Sequence, residues 1–340
     1  MEKMLEQTKP THPMRIRSRA WLWLLLLLPV LFAGPLLLGS YLTSVFVIMG
    51  LYCITTVGIT LLMGFAGLVS LAGAAFWGIG AYVTGTGAVH LGISPWLGIP
   101  LAVIVSGLIA FGLGLITRNL RGHYFSLATL GFGIVVNIVL IEETEWTGGS
   151  SGLIGIPALQ AGPLQVSGDA AWFALVWIVA IVCLILCSNL VKSGWGRNLR
   201  SMHASQAASE AMGIDTGRYR LQAFVISGMF AGLSGGLYAC YMGFVSPAVF
   251  NFDMSIKFVV MAVLGGLVSV WGAMVGVLVV TLLVELLREY VPLLIGQATS
   301  GGSIEVIFFG LLLVLMMIYM PNGIIGIFRS AKARRRGETL

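Results

Sequence analysis

Residues 42–63 read LTSVFVIMGLYCITTVGITLLM, an apolar run without a charged side chain. About 20 consecutive apolar residues are what a helix needs in order to cross a bilayer. Similar runs recur along the 340 residues, of which 58% are hydrophobic and 9% charged, whereas soluble domains carry about 25% charged residues. The sequence therefore predicts an integral membrane protein that crosses the bilayer many times.

The uncharged runs predict an all-α fold, a polytopic transmembrane helix bundle of about ten spans within a range of about eight to ten. The predicted spans are 21–38, 42–63, 66–89, 96–117, 124–141, 171–190, 219–242, 255–268, 271–290 and 303–320. The runs at 66–89, 255–268 and 271–290 are rich in glycine, and 255–268 is too short to cross about 30 Å of hydrocarbon. We expect Gly-rich broken or re-entrant helices there. The chain is divided into a basic N-terminal segment (1–20), a single transmembrane domain (21–328) and a basic tail (329–340).

The net charge of +6 comes from basic residues that gather beside the apolar runs. These clusters lie at 3–19, 118–121, 192–200, 218–220 and 329–336, and basic loops are typical of the cytoplasmic side of a membrane. The acidic residues Glu142, Glu143, Glu145, Asp169 and Asp253 lie in segments poor in Lys and Arg, which we expect to be external. Both termini are then cytoplasmic, and the basic tail is interpreted as a membrane anchor that binds no nucleic acid.

Motifs of catalysis are missing from the sequence. It contains no G-x-x-x-x-G-K-[ST] phosphate loop, no H-E-x-x-H and no nucleophile elbow, so we expect neither an enzyme nor a metal site. Ion-coupled carriers usually keep an ionisable residue at mid-membrane, whereas the middles of the predicted spans carry none. Glu285 and Arg288 lie near one end of a span, three residues apart, and are expected to pair on a helix face. These features favour transport that is powered from outside the chain.

Two glycine-rich segments resemble each other. Residues 67–74 (GLVSLAGA) and 266–273 (GLVSVWGA) are identical at six of eight positions. Gly-interrupted segments in two halves of a transporter mark a translocation site, although Gly-rich helices can also match through composition alone. The predicted path residues are Gly64, Gly67, Ser70, Gly73, Gly265, Gly266, Ser269 and Gly272.

The longest predicted cytoplasmic loop, 192–220, contains a segment at 197–212 without Pro or Gly that should be helical. Gly213 is placed to cap the end of this helix, and Asp215 or Thr216 to cap the next one. Small residues (Ala204, Ala207, Ala208 and Ala211) and polar residues (His203, Gln206 and Glu210) form two faces at helical spacing. The helix either docks against a soluble partner or lies on the surface of its own protein.

Three glycines four residues apart, Gly228, Gly232 and Gly236, form a small-x-x-x-small pattern along one predicted span. This pattern lets membrane helices approach to backbone distance. We interpret it as a packing device inside a tight bundle or at a dimer seam.

Several segments together resemble the LivM-type permeases of branched-chain amino acid ABC importers, in the order in which that family has them. The segments are 64–82 (GFAGLVSLAGAAFWGIGAY), 120–130 (LRGHYFSLATL), 147–157 (TGGSSGLIGIP), 207–214 (AASEAMGI), 264–267 (LGGL) and 319–323 (YMPNG). The resemblance covers most of the chain. Two positions depart from the family: residues 202–206 (MHASQ) stand where charged residues are frequent, and His123 stands where an acidic residue is frequent.

The resemblance implies a permease subunit that binds no cofactor itself. Its partners would be a second homologous permease subunit, two P-loop ATPase subunits that use ATP, a periplasmic substrate-binding protein and the lipid of the bacterial inner (plasma) membrane. The loop 192–220 would couple to an ATPase through Arg197, Glu210, Ala211 and Gly213. The cargo would be a branched-chain or other small amino acid, and the alternatives are a urea or short-amide importer of the same fold and a stand-alone secondary carrier.

Overall fold

The computed structural model describes residues 39–295 except 119, 121, 162–163, 166–167 and 268, and these residues form a bundle of helices. The helices are α1 (Ser40–Thr60), α2 (Gly73–Val89), α3 (Pro95–Thr117), α4 (His123–Glu142), α5 (Thr144–Thr147), α6 (Asp169–Lys192), α7 (Gly194–Ala204), α8 (Gln206–Ala211), α9 (Thr216–Met242), α10 (Phe252–Gly265) and α11 (Val270–Ile295). A π-helical turn (Leu61–Phe65) prolongs α1, and 3-10 turns lie at Gly149–Ser151 and Pro247–Phe250. The strands β1 (Leu153–Ile154) and β4 (Phe244–Val245) pair antiparallel, as do β2 (Gln160–Ala161) and β3 (Leu164–Gln165).

Five of the described helices are long and apolar enough to cross a membrane, namely α1 with its π-helical turn, α3, α4, α6 and α9. Helices α10 and α11 pass the same test only as a pair, which is bent by 117°. The described residues thus hold five such spans, or six if the bent pair counts as one. The predicted polytopic helical fold is confirmed. The count of about ten stays a prediction, because the runs at 21–38 and 303–320 lie outside the described residues.

The predicted span at 66–89 is helical only from Gly73 onward. Residues 67–72 leave the helical path, and Gly67 adopts a φ of +70°, which is left-handed backbone that favours glycine. Helix α2 therefore has 17 residues. At about 1.5 Å per residue it is shorter than the hydrocarbon of a bilayer, which is about 30 Å thick.

The connections between the helices gather at two ends of the bundle. At the basic end, α7 lies beside Gly64 at the end of the π-helical turn, and Arg118 lines a common cavity with Arg220 of α9. At the opposite, acidic end, β1 in the loop after α4 pairs with β4 after α9, and His90 after α2 contacts Trp146. Basic and acidic loops are thus separated in space, as their distribution in the sequence predicted.

A glycine seam holds α9 against its neighbours. Gly228, Gly232 and Gly236 lie where α9 crosses α3 and α2, and their nearest neighbours are, in that order, Ala110, Ser106 and Thr84. Gly80 of α2 approaches so closely that a methyl group there would collide with the backbone of Gly232. Helices in lipid gain no hydrophobic drive to associate, so close packing of this kind stabilises the bundle. The seam lies within this chain.

The side chain of Trp77 is a buried contact between α1, α2 and α9. Trp77 of α2 is fully buried, and its Nε1 donates to Ser234 of α9, whose hydroxyl in turn donates to the carbonyl oxygen of Leu51. Aromatic side chains of α9 and α10, Tyr238 and Phe258, pack against the indole ring. Each polar group of Trp77 and Ser234 is thus satisfied away from water, as apolar surroundings require.

Candidate coupling site and translocation path

Helix α7 is fastened to the basic end of the bundle by one face. Leu199 and Met202 point inward and are buried. The indole Nε1 of Trp195 donates to Gln222 at 2.8 Å, and the amide of Asn198 donates to the hydroxyl of Tyr219 at 2.7 Å. Both acceptors lie on the first turns of α9, so α7 and the start of α9 are held together.

The continuous helix predicted over 197–212 is wrong at Ser205, where the chain leaves the helical path with φ −156° and ψ 109°. The Oγ of Ser205 accepts a hydrogen bond from the backbone N–H of Ala208 and so caps the start of α8. Serine competes well for this capping position, and the turn therefore needs neither Gly nor Pro. The predicted alanine stripe consequently spans two helices, with Ala204 on α7 and the rest on α8.

The end of α8 has the capping geometry that the sequence predicted. Gly213 adopts a φ of +82° and donates its N–H to the carbonyl oxygen of Glu210, while Ile214 donates to Ser209. These two bonds form a Schellman motif. The carboxylate of Asp215 then accepts from the N–H of Arg218 and caps α9. Only two residues, Ile214 and Asp215, thus separate Gly213 from α9.

A polar network binds α8 to α9. Glu210 Oε1 accepts from Gln206 at 2.6 Å and from the hydroxyl of Thr216 at 2.8 Å. Gln206 in turn accepts from the guanidinium of Arg220 at 2.8 Å. Glu210 therefore fixes the position of α8 through its neighbours in this chain, which its predicted role in coupling did not anticipate.

The outer surface of this region is smooth. Ala204, Ala207, Ala208, Ala211 and Met212 are exposed, and we call them the alanine face. Met212 is 82% exposed, which is unusual for a large apolar side chain. Arg197 and Gly213 are exposed nearby. Small side chains with one protruding methionine allow a partner to approach the backbone of α8 closely.

His203 reaches away from the alanine face into the first glycine-rich break. Its Nδ1 donates to the carbonyl oxygen of Gly64 at 3.2 Å. A methyl group on Gly67 would lie 2.9 Å from His203 Cδ2, so the ring covers this glycine closely. The sequence placed His203 on the polar face of the loop helix, whereas the fold uses it to connect α7 to the end of α1.

The two glycine-rich breaks share two features of local structure, although the first is six residues long and the second four. In each, a helix ends, a glycine of positive φ follows (Gly67 at +70°, Gly266 at +104°), and a new helix begins at Gly73 or Val270. This likeness supports a genuine internal repeat. Gly64, Gly67, Ser70 and Gly73 belong to the first break, and Gly265, Gly266, Ser269 and Gly272 to the second. Their role in translocation stays a prediction.

The two breaks meet at the basic end. Gly64 lies against Leu267 so closely that a methyl group would collide with the Leu267 carbonyl oxygen. Side chains satisfy the backbone of the first break: Ser126 donates to the carbonyl of Val69, and Thr129 accepts from the N–H of Leu71. In lipid, irregular backbone needs such partners. The first break is thus held by side chains of α4, and it touches the second break where Gly64 meets Leu267.

A second region, at the acidic end, was missed by reasoning from sequence. A cavity of about 490 Å³ lies between α1, α6, α9, α10 and α11, and Asp169, Lys257 and Glu285 are among its lining residues. Helix α10 begins at Phe252, three residues before the predicted span, so Lys257 lies in its second turn, at the acidic end. The expectation that the middles of the spans carry no ionisable residue stays a prediction.

Glu285 has a hydrogen-bond partner on α1. Its carboxylate accepts a hydrogen bond from the hydroxyl of Tyr41, at the start of α1. The predicted pairing with Arg288 falls on a side chain outside the described ones. The three charges of the cavity come from three different helices, and no local spacing could have revealed their proximity.

Comparison with known proteins agrees with this architecture. The family described as the branched-chain amino acid transport system / permease component matches residues 41–318. The chain is 28% identical to the high-affinity branched-chain amino acid transport system permease protein LivM of Salmonella typhimurium, over 93% of this chain and 77% of the relative. It is 25% identical to a probable LivM of Methanocaldococcus jannaschii, over 81% and 90%, and 26% identical to LivH of Salmonella typhimurium, over 81% and 91%. No solved structure matches the chain. The resemblance seen in the sequence motifs is confirmed, and the chain belongs to the family of permease components of branched-chain amino acid transport systems.

Proposed function

We propose that this chain forms part of the translocation path of an ATP-driven importer for branched-chain or other small amino acids in the bacterial inner membrane. The basic end would face the cytoplasm, because basic loops are retained there. Two separate P-loop ATPase subunits would supply the energy, and a periplasmic binding protein would deliver the cargo at the acidic end. The chain itself would bind no nucleotide and catalyse no reaction.

The observation that carries this proposal is the double attachment of the α7–α8 segment. The alanine face is exposed at the basic end, where an ATPase could dock. On the inner side, His203 contacts the first break, and the network around Glu210 holds the start of α9. A displacement imposed on the alanine face would therefore reach both the break and the central helix, because packed elements move as units.

A second permease subunit is the expected membrane partner. The chain is similar to both LivM and LivH relatives, which are two kinds of permease. Broad apolar surfaces remain available for such a partner and for lipid, especially on α4, where Leu127, Val135 and Val139 are more than half exposed. We therefore propose a path formed between two related subunits.

Reconstitution in liposomes tests the function. The chain would be combined with its second permease, two ATPase subunits and the binding protein, and uptake of radiolabelled L-leucine and ATP hydrolysis would be measured together. We expect uptake to require ATP and the loaded binding protein to accelerate hydrolysis. Leucine uptake without ATP would instead identify a secondary carrier, and ATP-driven uptake of urea without leucine would identify the amide branch.

The docking surface has its own test. Ala208→Trp places a large ring on the alanine face and should weaken co-purification of the ATPase by roughly tenfold or more, as large changes at the centre of an interface do. Ala170→Trp, at an equally exposed alanine of the acidic end, is the matched control and should leave co-purification unchanged. Equal recovery of the ATPase with both variants would contradict docking at α8.

A further inference from the structure

We propose that the cavity at the acidic end, hereafter the acidic-end cavity, binds the amino acid itself, holding both charges of the zwitterion and its aliphatic side chain. The inference rests on the proposed function and adds a substrate site within this chain. The lining residues are Tyr41, Ser44, Val45, Ile48, Tyr52, Asp169, Tyr241, Met242, Lys257, Met261, Thr281, Val284 and Glu285. Its volume of about 490 Å³ lies within the range of about 300–1,000 Å³ that small-molecule sites occupy.

Opposite charges line the acidic-end cavity. Lys257 of α10 offers an ammonium group to a ligand carboxylate, while Asp169 of α6 and Glu285 of α11 offer carboxylates to a ligand ammonium. All three side chains are half-buried, so their fields act at lower dielectric than in water. Asp169 is the first residue of α6 and Lys257 lies in the second turn of α10, so both charges lie at the ends of helices that face the cavity.

Tyrosine hydroxyls orient the two carboxylates. Tyr41 donates to Glu285, and Tyr241 donates to Asp169 at 3.4 Å. A carboxylate that accepts one hydrogen bond keeps further acceptor sites for an ammonium group. Two carboxylates and one ammonium also make the lining net negative, which disfavours phosphate and other free anions.

An unsatisfied hydroxyl lies in the same wall. Thr281 Oγ1 of α11 is buried and has no hydrogen-bond partner among the described residues. A buried polar atom left without a partner is destabilising by about 1–3 kcal/mol. A ligand ammonium or carboxylate in the acidic-end cavity would supply that partner, so the orphaned oxygen is an observation independent of the charges.

Apolar residues complete the acidic-end cavity. Val45 and Ile48 of α1, Met261 of α10 and Val284 of α11 line it together with the polar groups. A bare cation would need no such surface, whereas an aliphatic side chain is stabilised by about 25 cal/mol for each Å² of apolar area removed from water. The combination of a charge pair with an aliphatic wall fits an amino acid with a branched apolar side chain.

The position of the cavity suits a translocation step. Tyr52 lines it and packs edge-on against Phe258 at 5.6 Å and Trp77 at 5.8 Å, so the buried aromatic core lies directly beyond. Met261, another lining residue, lies one turn before Gly265 of the second break. An amino acid in the cavity would therefore lie between the acidic end and the two breaks.

Equilibrium binding of tritiated L-leucine to the assembled complex in lipid nanodiscs, without the binding protein, tests the site. We expect Lys257→Met and Asp169→Asn each to weaken binding by roughly tenfold or more, since hydrogen bonds to charged groups are strong. Thr281→Val should weaken it by a few-fold. Thr55→Val removes a hydroxyl that is equally buried and unsatisfied but does not line the cavity, and it should bind leucine as the wild type does. Isoamylamine and isocaproate, which each carry one of the two charges of leucine, should compete poorly.

The outcomes separate this inference from the proposed function. If the wild-type complex carries out ATP-driven leucine uptake but binds no leucine by itself, or binds it equally well with all three cavity variants, the site is overturned and the function stands. Isoamylamine competing as well as leucine would show a cation site instead. If ATP-driven uptake is absent, the function fails whatever the binding result. If Lys257→Met prevents assembly of the complex, leucine binding by Asp169→Asn and Thr281→Val decides whether the cavity is the substrate site.

Discussion

The two glycine-rich breaks share a sequence motif and a glycine of positive φ, yet they are connected to different parts of the molecule. The first is tied to α7 by His203 and to α4 by Ser126 and Thr129. The second folds α10 back along α11, with Gly265 packed against Gly272, and it follows the helix that carries Lys257. One copy of the repeat is thus connected to the proposed coupling segment α7–α8, and the other to the helix that lines the proposed substrate cavity. Gly64 and Leu267 are in contact, so a displacement of one break would reach the other there.

The largest effect is expected from Gly64→Val, which separates the two breaks. The side chain would collide with the carbonyl oxygen of Leu267, which is backbone and cannot rotate away. Overpacking of this kind destabilises by about 1–3 kcal/mol or more, so thermal stability in detergent should fall and leucine uptake should be lost.

Gly112→Val on α3 is the control for Gly64→Val, since a methyl group there meets open space. It should retain uptake and thermal stability. Normal uptake by Gly64→Val would show that the two breaks need not touch for transport.

A proline at Gly213 tests whether the cap at the end of α8 is needed to couple ATP hydrolysis to leucine uptake. Proline fixes φ near −65° and has no N–H, whereas Gly213 has a φ of +82° and donates to Glu210. The cap of α8 would be lost, and leucine transported per ATP should fall by roughly tenfold or more, because such a proline is destabilising by about 3 kcal/mol. The complex should still assemble.

Gly92→Pro is the matched control for Gly213→Pro, because Gly92 has a comparable φ of +63° at the acidic end. It introduces the same backbone strain far from α8. Its ratio of leucine transported to ATP hydrolysed should remain that of the wild type, and an equal fall in this ratio would point to general loss of folding.

The long apolar helices, the glycine seam and the cap at Gly213 were readable from the sequence because each depends on neighbours within one or two turns. The break at Ser205 was not, since serine is tolerated inside helices and the competing cap depends on where α7 is packed. The acidic-end cavity could not be predicted from the sequence for another reason. Asp169, Lys257 and Glu285 become neighbours only when α6, α10 and α11 assemble.

A double-mutant cycle measures the contact between His203 of α7 and the first break. His203→Ala removes the hydrogen bond to Gly64, which contributes about 0.5–1.5 kcal/mol, and coupling should fall by roughly three- to tenfold while ATP hydrolysis continues. Gly67→Ala adds a methyl group 2.9 Å from the ring, so the two substitutions should be non-additive in thermal stability.

Gly266→Ala is the counterpart in the second break, and His123→Ala is the control histidine at the basic end. Both alanine substitutions at glycine place a side chain at positive φ, with strain of roughly 1 kcal/mol or more. Only the effect of Gly67→Ala should depend on the presence of His203. Additive effects at Gly67 and His203 would mean that the ring does not connect α7 to the first break.

The smallest expected effect belongs to the cap between α7 and α8. Ser205→Ala removes the acceptor for the N–H of Ala208, which is destabilising by about 0.5–2 kcal/mol. Alanine also favours a continuous helix, which would swing α8 away from the polar network of Glu210 and Thr216. Leucine uptake should fall two- to fivefold, by roughly the share of molecules that lose the cap. Ser205→Asp keeps a capping carboxylate and should restore uptake, whereas a failure of both variants would assign Ser205 to direct contact with the ATPase.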